Sequence, residues 1–136
     1  MVSLTITTDN DQTAKQIEPN APSPTKRLQA AQSLINKGIP TTIRIDPIIP
    51  HVNDDPETLI KTLSALGIKH VTASTLKINP QIWKKLTAAM PETTKKLQPM
   101  YFEKGEKMGR YTYLPRELRF KLLKTTADLC KKHNVK

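Results

Sequence analysis

A polar residue followed by proline occurs after each of three β-rich segments, and this repeat constrains the fold more than any other feature. The three pairs are Ser23-Pro24, Asp55-Pro56 and Asn79-Pro80. The polar side chain can cap a helix, and proline suits the first helical turn. Strands joined through helices are parallel, and such crossovers are right-handed. The sequence therefore predicts an α/β fold with about three parallel strands and surrounding helices.

The predicted strands are Val2–Thr7, Thr41–Ile45 and Lys69–Ser74, each rich in β-branched residues. Gly38 and Gly67 end the helices that separate them. Both a doubly wound sheet and a section of a (β/α)8 barrel satisfy this order of elements.

The remaining elements are marked by prolines and by short capping signals. Asp9 or Asp11 is expected to cap a short first helix, and Asp55 to cap the helix that starts at Pro56. Further helices are predicted to start at Pro91 and Pro115. Residues 102–113 are predicted to form an irregular, glycine-bearing loop, and residues 135–136 are expected to begin another strand.

In either architecture, functional residues collect at the carboxyl ends of the strands. Three polar or proline-stiffened segments lie there: Thr7–Asn10, Asp46–Pro50 and Ser74–Lys77. Helix capping explains Asp9 equally well, and a stiff turn explains Asp46-Pro47. No phosphate-binding glycine loop and no GxSxG nucleophile motif is present, so no catalytic residue is predicted.

Composition indicates one domain over residues 1–136, large enough for a core. No apolar run approaches the roughly 20 residues that a membrane span requires, so we expect no membrane contact and a cytoplasmic location. Cys130 is the one cysteine, which excludes an internal disulfide and a cysteine-based zinc site. The three histidines lie in separate segments without metal-ligand spacing, so no metal site is predicted.

Charge is distributed unevenly along the chain, whose net charge is +10. Residues 1–60 carry a net charge of −2, and residues 61–136 carry +12. Such asymmetry is typical of a polyanion-binding face, although a lysine-rich solvated surface explains it as well.

Aromatic and basic residues alternate between residues 101 and 113, where four of the six aromatic residues lie. Aromatic rings can stack on nucleobases while Lys and Arg meet phosphates. The alternative is that these aromatics close over the core beside them. The residues predicted to contact nucleic acid are Lys104, Lys107, Arg110, Tyr111 and Tyr113.

Short segments in residues 2–75 form an ordered series. They are Thr5–Asp9, Glu18–Pro24 with Arg27-Leu28, Gly38-Ile39-Pro40, Arg44–Pro50 and Asn53-Asp54. In their order and spacing they resemble radical S-adenosylmethionine proteins related to spore photoproduct lyase. The resemblance implies a partial (β/α)6 barrel, of which this chain would form the fourth, fifth and sixth strands with their helices.

The resemblance also implies a position for S-adenosylmethionine. A polar residue at the end of the fourth strand holds the ribose in that family, and Thr7 matches it best, with Thr5 as the other candidate. Arg44 and Asp46 would lie against the adenine and methionine parts. The cofactor-binding residues implied are Thr5, Thr7, Glu18, Arg27, Arg44 and Asp46.

Members of that family hold a [4Fe–4S] cluster through a CxxxCxxC loop, and this sequence contains no such loop. The resemblance therefore implies a fragment that is inactive alone and whose partner would be the missing amino-terminal half-barrel. Two exposed strand edges also predict self-association into a homo-oligomer. A basic nucleic-acid-binding module and a scaffold without a ligand are the alternatives.

Overall fold

Three parallel strands form the central sheet of the computed structural model, which describes residues 1–136. Their spatial order is β1 (Val2–Thr5), β2 (Thr41–Ile48) and β3 (Val71–Thr75). This confirms the predicted α/β class and is consistent with a partial barrel. The helices are α1 (Asp11–Ile17), α2 (Pro24–Asn36), α3 (Glu57–Leu66), α4 (Pro80–Ala89), α5 (Pro91–Gln98) and α6 (Arg116–Lys132).

Two of the three polar-proline pairs start helices as predicted. The backbone N–H of Lys26 donates to Ser23 Oγ at 3.2 Å, and that of Ile82 donates to Asn79 Oδ1 at 2.8 Å. The prediction for Asp55 is wrong. Pro56 itself occupies the capping position of α3, so Asp55 lies one residue too early and caps nothing.

The first helix also has a different cap from the two predicted. Asn10 Oδ1 accepts a hydrogen bond of 3.0 Å from the N–H of Thr13, so neither Asp9 nor Asp11 caps α1. Asp11 instead accepts from the hydroxyl of Thr25, which connects the starts of α1 and α2.

The two faces of the sheet differ sharply in chemistry. Leu4 pairs in register with Ile43, and Ile43 with Val71. These side chains pack with Ala31 of α2, Leu63 of α3 and Cys130 of α6 into the main core. Because successive strand residues point to opposite faces, the residues between them form a polar face. We call this the open face; its residues are Ser3, Thr5, Thr42, Arg44, Asp46, Thr72 and Ser74.

A second core lies beyond the carboxyl ends of the strands. Ile49, Leu97, Tyr101 and Leu114 are its most deeply buried members. The Tyr101 hydroxyl donates to the carbonyl of Leu76 at 2.6 Å, and burial raises the pKa of Tyr101. This second core anchors the segments that border the strand ends.

Residues 102–113 are more regular than predicted. A π-helical turn covers Pro99–Glu103, and β4 (Glu106–Met108) pairs with β5 (Tyr111–Tyr113) in a hairpin. Gly105 is required where these elements meet, since a Cβ there would lie 2.7 Å from the Tyr113 carbonyl oxygen. The loop prediction is therefore corrected to a π-helical turn and a hairpin.

Strand lengths and edges also differ from expectation. β1 ends at Thr5, two residues earlier than predicted, while β2 continues through the cis Asp46–Pro47 bond to Ile48. The backbone of Lys136 bonds to Lys69 and Val71 at the amino end of β3, in the pattern of a further parallel strand. Self-association through the edges stays a prediction.

No helix combines the length and apolarity needed to cross a membrane.

The Asn53 side chain connects the ends of β1 and β2. Its Nδ2 group donates to the carbonyls of Thr7 at 2.8 Å and Pro47 at 3.0 Å. Its Oδ1 accepts from the N–H of Ile49 at 2.6 Å, and the residue is 6% exposed. One buried amide therefore satisfies three backbone groups that no regular ladder serves.

Replacing Asn53 with alanine should lower the free energy of unfolding by about 2–4 kcal/mol, because buried backbone groups lose their partners. Asn53→Asp should be at least as damaging, since a carboxylate cannot donate to the two carbonyls. Urea denaturation followed by circular dichroism measures both variants. Asn20→Ala, at an exposed turn position, is the control, and an Asn53→Ala variant as stable as this control would contradict the assignment.

Candidate functional site

A line of polar residues runs from the edge of β1 to the end of β2. Arg27 Nη1 lies 3.3 Å from Glu18 Oε2 and also donates to the backbone carbonyl of Thr5. Thr5 is the register partner of Arg44. Arg44 Nη2 in turn lies 2.8 Å from Asp46 Oδ2. Five of the six predicted cofactor-binding residues thus lie along this line, in two contacting groups that meet at the Thr5–Arg44 register pair.

Thr7, the sixth, lies apart from this line. It is buried, and its carbonyl is bonded to Asn53. It contributes to a small polar cavity of about 200 Å³ that also contains Asp9 and Asp55. Thr5 instead lines a cavity of about 500 Å³ with Glu18 and Arg27. The structure therefore does not bring Thr5 and Thr7 into one pocket.

A cleft of about 490 Å³ lies where β2 and β3 end, and we call it the strand-end cleft. Strand residues form one wall, and the hairpin and α6 form the other. Hydroxyl, phenol, carboxylate and cationic groups all face it. Its polar lining residues are Asp46, Ser74, Thr75, Lys77, Tyr111, Tyr113 and Arg119.

Both cations of the cleft stand over aromatic rings. Lys77 Nζ is 4.4 Å from the ring centre of Tyr111, and the guanidinium carbon of Arg119 is 5.4 Å from that of Tyr113. Such contacts orient the rings and the charges together. The cleft is therefore suited to a ligand with a planar part and an anionic part.

Arg119 also holds the hairpin against α6. Its Nη2 group lies 2.9 Å from Glu106 Oε2, and its Nε group donates to the Leu114 carbonyl at 2.9 Å. The other oxygen of Glu106 accepts from the N–H of Arg116. One guanidinium thus positions the wall that carries Tyr111 and Tyr113.

Sequence reasoning missed Lys77 and Arg119 as site residues. Lys77 could have been predicted, since it is the last residue of the polar segment Ser74–Lys77 at the carboxyl end of a strand. Arg119 could not, because it is one of several cations along α6 and reaches the cleft only through tertiary packing.

The hairpin separates the residues predicted to contact nucleic acid. Tyr111 and Tyr113 face the strand-end cleft, whereas Lys107 and Arg110 line a groove on the other side of the hairpin. Lys104 is exposed and lines neither. The aromatic and basic residues that alternate in the sequence therefore lie on two different surfaces, one on each side of the hairpin.

The residues present do not fit an iron–sulfur cluster. Cys130 is buried on α6, and burial raises the pKa of its thiol. No group of three His, Cys, Asp or Glu residues is arranged to hold a metal ion. The hydroxyls and charges of the open face, by contrast, match the hydroxyl, ammonium and carboxylate groups of S-adenosylmethionine.

A parallel sheet with helices on one face and a polar second face defines the class of partial (β/α) barrels. Among solved structures, the fold matches a cysteine-to-alanine mutant of spore photoproduct lyase with dinucleoside spore photoproduct, at a TM-score of 0.72 and 17% identity. The match covers 96% of this chain and 41% of that chain. The chain thus shares the fold of part of that lyase and spans less than half of its length. No protein-family model and no curated protein matches.

Replacing Arg119 with methionine should loosen the hairpin, because β4 and β5 lose their charged link to α6. Amide hydrogen exchange in residues 106–113 should become about 5–10 times faster, the equivalent of about 1 kcal/mol of lost local stability. Lys121→Met, an exposed change on the same helix, is the control. Equal protection in the two variants would show that Arg119 does not position the hairpin.

Proposed function

We propose that the open face is part of the cofactor and substrate surface of a radical S-adenosylmethionine lyase-like protein, and that it binds S-adenosylmethionine. One observation supports this most: in a matching fold, a line of polar residues runs from Glu18 and Arg27 beside the β1 edge, through Thr5 and its register partner Arg44, to Asp46 on the open face. Apolar side chains cover the opposite face, so this face alone offers groups for a polar ligand.

The chemistry of the line suits the cofactor part by part. The Thr5 hydroxyl can both donate to and accept from a ribose hydroxyl. Asp46 can accept from the ammonium group of the methionine part, and Arg44 can donate to its carboxylate. On binding, Arg44 and Asp46 would break the ion pair between them and contact the ligand instead. Breaking this pair costs little free energy, because Arg44 is exposed to solvent.

In the lyase family, a reduced cluster supplies the electron that cleaves the cofactor. The present chain offers no ligands for such a cluster, so it is proposed to bind S-adenosylmethionine without cleaving it. Anaerobic reconstitution with iron and sulfide should leave the protein without cluster absorbance. A stable cluster on this chain would contradict the assignment.

Isothermal titration with S-adenosylmethionine tests the binding surface. Thr5→Val, which keeps shape and β propensity, should weaken binding about 5–10-fold through one lost hydrogen bond. Asp46→Asn should also weaken binding. Thr125→Val on the exposed side of α6 is the matched control. An absence of binding by the unaltered protein, or equal affinities in the three variants, would contradict the proposal.

Nucleic-acid binding is the second candidate function. Lys107 and Arg110 are exposed at the hairpin, within the half of the chain that carries a net charge of +12. The matching lyase was solved with a dinucleoside photoproduct, which makes DNA the favoured polyanion. The two candidates are compatible, because Lys107 and Arg110 line a groove on the side of the hairpin away from the strand-end cleft.

A salt titration tests this second candidate. Binding of a labelled single-stranded oligonucleotide should weaken as salt increases, since phosphate contacts release counterions. Lys107→Gln combined with Arg110→Gln should reduce the slope of log affinity against log salt by about 1.4, at about 0.7 per lost contact. Lys15→Gln combined with Lys37→Gln, in the acidic half, is the control. Salt-independent binding would remove this candidate.

A further inference from the structure

A large cavity lies behind the hairpin and has no role in the proposed cofactor surface. Its volume is about 820 Å³, and we call it the aromatic–basic groove. It shares no residue with the strand-end cleft, because alternate residues of β5 face opposite sides: Tyr111 and Tyr113 face the cleft, and Thr112 faces the groove. Its lining includes Trp83, Lys84, Phe102, Lys107 and Arg110.

An exposed aromatic ring at this groove packs against a second aromatic ring. Phe102 is 55% exposed, although its ring is held edge-on against Trp83 at a centre distance of 4.9 Å. Trp83 is supported in turn by buried Tyr101 at 6.3 Å. A solvated ring that already packs against a second ring is a platform for stacking, because this packing reduces the conformational entropy that is lost when a planar ligand covers it.

The basic side chains around this platform have no acidic partners in the groove. Lys84 on α4 and Lys107 and Arg110 on the hairpin line the groove, and none of them forms a salt bridge. No Asp or Glu lines it. The cations come from two separate elements, so they can contact an anionic backbone on both sides of a stacked ring.

The hairpin is held in place at the groove by backbone bonds. Thr112 and Ile78 exchange two hydrogen bonds, of 2.8 and 2.9 Å. Lys107 is the register partner of Thr112 and lies on the same side of the hairpin. The groove therefore keeps its shape without a ligand, which lowers the cost of binding.

We propose that the aromatic–basic groove binds an unpaired nucleobase and its flanking phosphates in single-stranded nucleic acid. The base stacks on Phe102 beside Trp83, while Lys84, Lys107 and Arg110 contact the phosphates. This deepens the second candidate function and rests on it. It adds a base-stacking subsite at residues outside the predicted set, namely Trp83, Lys84 and Phe102.

The test compares two probes of equal length and charge: an oligothymidylate and an abasic oligonucleotide. Stacking predicts that the unaltered protein binds the oligothymidylate roughly 10-fold more tightly than the abasic strand. It also predicts quenching of fluorescence from Trp83, the one tryptophan, by the oligothymidylate. Equal affinities for the two probes would overturn the proposal while leaving nucleic-acid binding itself intact.

The variants use the only other phenylalanine as a matched control. Phe102→Ala should abolish the preference for the oligothymidylate and leave affinity for the abasic strand unchanged. Phe120→Ala, an exposed position on α6, should leave both affinities as they are. Lys84→Gln tests the groove without touching its aromatic packing, and should weaken binding of both probes and reduce the salt slope. Retention of the full preference in Phe102→Ala, or failure of both probes to bind, would overturn the proposal.

Discussion

The arrangement of the backbone at the carboxyl ends of β1 and β2 depends on the buried side-chain amide of Asn53. The β1 strand ends at Thr5, and the register of β2 with β3 shifts between Ile45 and Ile48, so the carbonyls of Thr7 and Pro47 and the N–H of Ile49 lie outside the regular ladders. Asn53 bonds to Thr7, Pro47 and Ile49 and fixes these segments to one another. A hydrocarbon side chain of similar size would bury three unpaired groups here. The second core can then pack over a defined surface.

The division of the sheet into two faces follows from the same strand geometry. The isoleucines at alternate positions of β2 pack against α2, α3 and α6 on one face of the sheet. The intervening residues Thr42 and Arg44 therefore lie on the other face. A closed sandwich would cover both faces with apolar side chains. Here the second face carries polar side chains, among them the Arg44–Asp46 ion pair, and the Arg27 guanidinium bonds to the outward carbonyl of Thr5 at the edge strand. That contact protects part of an edge that is otherwise open to pairing.

The helix caps and the parallel arrangement of the strands could be predicted from sequence, whereas most side-chain contacts between distant segments could not. Ser23 and Asn79 cap helices because their signals act within three residues. Asp55 carried the same signal, but the helix began one residue later, a difference that propensity alone does not resolve. The hairpin was missed because its strands are three residues long and flanked by glycine. The Tyr101 bond to Leu76 spans 25 positions, so no local pattern indicates it.

The candidate site shows the same limit. Alternation in β2 places Arg44 and Asp46 on one face, so their contact was within reach of sequence reasoning. Arg119 reaches the cleft only because α6 packs beside β3, and Phe102 and Trp83 meet only in the folded chain.

The central claim is that the open face binds S-adenosylmethionine. The most direct measurement is a two-dimensional amide NMR spectrum of the labelled protein, recorded with increasing cofactor. The account predicts saturable shifts at Thr5, Arg44, Asp46 and Ser74. Shifts confined to α6 or the hairpin, or none at all, would contradict it.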